Sequence, residues 1–74
     1  MSVYFSNAVV GFRIGDRVVA TSQPYFGDEY TEGQRGVIVD IKGGGLVIAK
    51  ESGGIIKTKK GTPFICCPEC WELA

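Results

Sequence analysis

The sequence predicts an all-β fold: a small antiparallel barrel of five or six strands with one short 3₁₀ turn near the C-terminus. Three observations carry this expectation. Short β-branched runs recur at roughly nine-residue spacing between turn residues, the pattern of a small sheet or barrel. Eleven of the 74 residues are glycine, about twice the usual share, so the chain turns often. No glycine-free window shows the i, i+3, i+4, i+7 apolar stripe that a substantial helix needs.

Taken in order, Arg17-Val-Val-Ala-Thr21 reads as a strand with Val18 and Ala20 on one face and Val19 on the other. Ser22 to Gln34 has no period and reads as a long loop. Arg35 to Ile41 alternates, which predicts Val37, Val39 and Ile41 together and Ile38 opposite. Lys42-Gly-Gly-Gly45 is a tight hairpin connection, since glycine adopts positive φ at little cost. Leu46–Lys50 is the next strand, Glu51–Gly54 a turn, and Ile55–Lys59 a further strand. Proline suits the first position of a helical turn, so Cys67-Pro-Glu-Cys70 is expected to form the 3₁₀ turn and Trp71–Ala74 a last strand. Val3–Phe5 and Ala8–Val10 would supply an extra N-terminal strand within residues 1–11.

The whole of 1–74 reads as a single domain, without repeat or linker. A domain this small buries only about 60% of the surface its unfolded chain exposes. No apolar run reaches membrane-span length, and the N-terminus lacks the basic and apolar regions of a signal peptide. The chain has no histidine, which removes the commonest general base and the commonest zinc ligand. There is also no Cys/His or Ser/His pairing, and Gly43–Gly45 lies between strands rather than at a helix start, where it would cradle phosphate. The expectation is therefore a non-enzyme. Three cysteines, an odd number clustered near one end, suit reduced thiols in the cytoplasm better than a secreted disulfide framework.

The lead-in Ile14-Gly15-Asp16-Arg17-Val18, the segment Glu32-Gly33-Gln34-Arg35-Gly36-Val37-Ile38, the two glycine-turned strands and the terminal Trp71-Glu-Leu73 together resemble an SH3-like small barrel. The likeness spans roughly residues 12 to 73. "Gly-Asp-x-Val … Gly-x-x-Gly-x-Val" is similar to the opening of KOW-type translation and transcription barrels, and the ending looks like that of small barrel proteins of bacteriophage. The resemblance implies binding of peptide, RNA, DNA or another protein rather than one particular activity. The chain departs from signalling SH3 domains in opening its third strand with Leu46 and in placing its single Trp at position 71. It departs from KOW modules in the length of the 22–34 loop.

Zero net charge conceals segregation. Asp28, Glu29 and Glu32 crowd one loop, whereas Lys42, Lys50, Lys57, Lys59 and Lys60 face only Glu51 across residues 41–60. Tyr25, Phe26 and Tyr30 sit among the acids, and aromatic area beside carboxylates suits a basic or proline-containing peptide. Tyr25, Phe26, Asp28, Glu29, Tyr30 and Glu32 are thus the candidate partner-binding residues of a non-catalytic protein-interaction module. The same rings would alternatively lid the barrel end.

A second reading is a nucleic-acid-associated barrel whose five lysines track phosphates, with Lys57 and Lys59 on one strand face. The zero total charge opposes it. A third is a metal-stapled domain in which Cys67 and Cys70, with Cys66, form part of a zinc site. Four ligands close such a site, so Glu69 or a second copy would have to contribute, and without a metal the cysteines pack as small hydrophobes and cap a turn. Finally, Val19, Ile38 and one residue each of Val47/Ile48 and Ile55/Ile56 would face outward, which predicts burial in a homodimer or under the N-terminal segment.

Overall fold

The computed structural model describes residues 9–74. Among these the chain forms one four-stranded antiparallel sheet: β1 (Arg17–Ala20), β2 (Arg35–Lys42), β3 (Gly45–Lys50) and β4 (Trp71–Leu73), in the order β3-β2-β1-β4. A single 3₁₀ turn, Pro68–Cys70, precedes β4, and no α-helix occurs among the described residues. No helix there is long and apolar enough to cross a membrane. The expected N-terminal strand falls mostly outside the described residues. Only its end is visible, as a tight turn in which Val9 bridges Phe12.

β2 and β3 meet through the two-residue connection Gly43–Gly44, with φ of 55° and 79°. Both central residues of such a hairpin need positive φ to match the twist of the strands, so glycine here fixes the register Lys42↔Gly45. Beyond β3 the expected strand 55–59 is not continuous. The chain touches β3 and itself at single bridges only, Ala49↔Ile55 and Lys57↔Pro63, and then returns to pair Cys66 with Leu46. That last pair exchanges both backbone bonds, at 2.9 and 2.7 Å. Glycines at 53, 54 and 61 break the runs, which is why the sheet holds four strands rather than five or six and is not closed. The 3₁₀ turn instead carries the chain from the β3 edge at Cys66 to the β1 edge, where Thr21 N–H donates to Cys70 O at 2.7 Å.

The core lies on one side of this curled sheet and comprises Val18, Ala20, Tyr30, Ile38, Ile41, Leu46, Ile48, Ile56, Cys66, Cys70 and Trp71. The alternation predicted for β2 is overturned here. Ile38 is fully buried and Val39 is 40% exposed, while Ile41 is buried again. The cause is a β-bulge between Ile38 and Asp40, where β2 pairs Ile38↔Ile48 but then Asp40↔Val47. An extra residue switches the faces of everything beyond it. The apolar outer face expected to include Ile38 loses it to the core, and neither residue of the pair Val47/Ile48 faces outward, both being buried. Arg17 and Arg35, both exposed, share that outer face with half-buried Val19 and Val37.

Candidate functional site: the aromatic loop and its neighbours

Residues 21–34 form the long loop between β1 and β2. Its ends are cinched where Ala20 N–H donates to Gln34 O and Gly33 N–H to Ala20 O, each at 2.8 Å. Two interior residues anchor it. Pro24 is buried, and the Tyr30 ring enters the core, edge-on to Phe64 at 5.9 Å and tilted against Trp71 at 4.9 Å. Burial raises the pKa of the Tyr30 phenol. Its hydroxyl and the Trp71 Nε1 are buried without hydrogen-bond partners.

Between these anchors Tyr25 and Phe26 are 74% and 92% exposed. Tyr25 is nevertheless fixed: its hydroxyl donates to Glu69 Oε1 at 3.2 Å, across 44 residues of sequence. That bond, and the Glu69 charge, raise the Tyr25 pKa. Pro68 forces the turn that presents Glu69, so the C-terminal turn orients the aromatic loop.

The two segments enclose an apolar hollow of about 220 Å³ lined by Pro24, Tyr25, Phe26, Tyr30, Phe64 and Ile65. Of the six sequence candidates it gathers three, Tyr25, Phe26 and Tyr30, with Tyr30 supplying its base rather than an exposed contact. Asp28, Glu29 and Glu32 do not line it. Asp28 is exposed, Glu29 is half-buried with Oε1 unpartnered, and Glu32 borders a separate polar depression with Gln34 and Ser52. Phe64 and Ile65, the latter 45% exposed, were not singled out in the sequence. They sit in a segment without period, and only the return of Cys66 to β3 places them here.

The three cysteines are free. Cys66 and Cys70 are buried, with Sγ donating to Phe64 O and Gln23 O respectively, each at 3.8 Å. Cys67 is half-exposed, and its Sγ lies 3.9 Å from Glu69 Oε1. Burial, then the nearby charges of Cys70 and Glu29, push the Cys66 thiol up to about 12. Among the described residues no three His, Cys, Asp or Glu side chains gather as metal ligands. Because thiolate is the reactive form and access limits its attack, a disulfide reagent at pH 8 should modify Cys67 promptly and Cys66 and Cys70 only on unfolding. Mass-mapped labelling of two or more thiols at one rate in the folded protein would contradict this arrangement.

The lysines do not form one stripe. Lys57 pairs with Pro63, but Lys59 and Lys60 belong to a turn closed by Thr58 and Thr62, whose backbone and hydroxyls both bond at 2.8 Å. The expectation of Lys57 and Lys59 on one strand face thus fails because 55–57 makes only isolated bridges and the chain turns at Lys59. Lys42 adjoins the β2–β3 hairpin and Lys50 ends β3. Lys50 instead joins Arg17 and Arg35, two residues not anticipated, around a hollow at the sheet surface. Comparison with protein-family models, with curated proteins and with solved structures finds no match for this chain.

Proposed function

We propose that this chain is a non-catalytic protein-interaction module, an SH3-like small barrel whose open sheet is completed through the 3₁₀ turn. It would accept an extended peptide segment in the hollow between the 24–30 loop and Phe64–Ile65. The observation that carries the reading is the exposure of Phe26 and Tyr25 from a loop that is anchored on both sides of them. A marginal small domain gains nothing from a wholly exposed phenylalanine, and contiguous exposed apolar side chains mark contact surfaces. Tyrosine and phenylalanine offer large rigid contact area at little entropic cost. Exposed Glu69, bonded to Tyr25 at the hollow, would favour a cationic residue in the partner and disfavour acidic ones.

A random peptide library displayed against the folded protein tests this. Enrichment of sequences combining apolar or proline residues with Lys or Arg, weakened at least tenfold by Phe26→Ala, is the expected result. At a hot-spot aromatic such a loss corresponds to about 1.4 kcal/mol or more. No enrichment, or enrichment indifferent to both Phe26→Ala and Tyr25→Ala, would overturn the assignment.

A further inference from the structure

The outer face of the sheet carries a second site, lined by none of the residues of the aromatic hollow. Arg17 on β1 stands opposite Val37 on β2, and Arg35 lies two residues from Val37 on that same strand. Residues two apart share a face, so the arginines form a diagonal cross-strand pair, whose separation is roughly 7 to 8 Å. Lys50 also lines the hollow from β3, although its register opposite Gly36 starts it on the other face of that strand. The floor between these cations is made of Gly36, Val37 and Ala49, and encloses about 310 Å³.

The three cations share the hollow with Glu51 and Ala74. Among the described residues neither Arg17, Arg35 nor Lys50 forms an ion pair, although Glu51 stands at the rim. Like charges set diagonally on a sheet repel, and surface arginines ordinarily find carboxylates where these are near. Here the register sets the two arginines diagonally across the β1–β2 pair, beside a hollow that an oxyanion could enter. Guanidinium forks match the oxygens of a phosphate, and a lysine adds a third point charge.

We propose that this hollow binds a phosphate monoester group. A phosphate answers the two arginines that share this face, and the apolar floor of Val37 and Ala49 accommodates a small organic body attached to it. A phosphodiester chain fits less well. Lys42, Lys57, Lys59 and Lys60 do not line the hollow, and Lys42 lies seven residues further along β2, about 23 Å away at strand rise. The chain as a whole has no net positive charge to draw in a polyanion.

The probes are O-phosphoserine, inorganic phosphate, sodium chloride at matched ionic strength and a short single-stranded oligonucleotide, each titrated while backbone amide shifts are followed. Phosphoserine and phosphate should give saturable shifts centred on Gly36, Val37 and Ala49, and should raise the melting temperature where chloride does not. Arg17→Gln and Arg35→Gln should each weaken binding about tenfold, whereas Glu51→Gln, which removes the rim carboxylate, should tighten it about threefold. Non-saturating shifts, equal shifts with chloride, or affinity unchanged in both arginine variants would overturn the proposal. So would tighter binding of the oligonucleotide than of phosphoserine. Because Glu51→Gln is expected to strengthen binding, a merely destabilised variant cannot imitate the predicted pattern. Failure of either surface leaves the other standing, since peptide selection reads Phe26 and phosphate titration reads Arg17 and Arg35.

Discussion

Ile38→Ala is expected to destabilise the protein by about 3 kcal/mol, while Val39→Ala, its immediate neighbour, changes stability by less than about 0.5 kcal/mol. Ile38 is fully enclosed by the core and faces Ile48 across the β2–β3 pair. Truncating it removes buried methyl groups and leaves a cavity that a rigid sheet cannot collapse to fill. Val39 projects from the bulge and is 40% exposed. A domain of this size has roughly 5 kcal/mol to lose, so Ile38→Ala should unfold at a far lower urea concentration with an unchanged m-value. Equal losses at the two positions, or a larger one at Val39, would mean that β2 runs in the uninterrupted alternation and that the bulge is absent.

The second large effect is alkaline destabilisation. The Cys66 thiol has an ordinary value of 9.0 and is pushed up to about 12 in the fold, chiefly by burial. Between these values the unfolded chain has released the proton and the folded chain still holds it, so stability must fall as pH rises. The contribution is complete below pH 9 and gone by about pH 12. At ~1.4 kcal/mol per unit the loss is on the order of 4 kcal/mol. Buried Tyr30, its pKa raised from 10.0, adds in the same direction at higher pH. Urea midpoints measured from pH 8 to 11 should therefore decline steeply, and Cys66→Val, which fills the same space without a titrating proton, should flatten the first part of that decline. A stability flat through pH 11 in the parent protein, or an undiminished slope in Cys66→Val, would show that Cys66 meets solvent.

Much of the backbone plan was readable from local chemistry. Paired glycines at 43 and 44 dictated a hairpin, and Pro68 announced the 3₁₀ turn with Trp71 opening the strand after it. The unperiodic stretch from Ser22 became the loop that was expected. What escaped was whatever depends on register. Nothing in Val37-Ile-Val-Asp-Ile41 marks a bulge, because a two-residue period is equally satisfied until the partner strand fixes which residue is extra. The same holds for the sites. Tyr25, Phe26 and Tyr30 are alike in sequence, yet Tyr30 alone turns inward because Phe64 and Trp71 arrive from far along the chain to receive it. Arg17 and Arg35 were invisible as a pair, since only the β1–β2 register makes them diagonal neighbours. Cysteine spacing left both a packed turn and part of a metal site open, and in the fold two of the thiols are buried against backbone carbonyls.

The position of β4 at the edge beside β1 governs how the chain folds in time. β2 and β3 are joined by a two-residue turn and can pair as soon as both exist, whereas β1 gains its second partner only from Trp71–Leu73, at the opposite end of the described chain. Closing so long a loop costs entropy before its contacts repay it, which makes that pairing the slow event. Trp71, the single tryptophan, belongs to the strand that closes the loop, so its fluorescence reports the last step and is blind to the first. During synthesis, the central strand β1 stays half-paired until Trp71–Leu73 have emerged to join it.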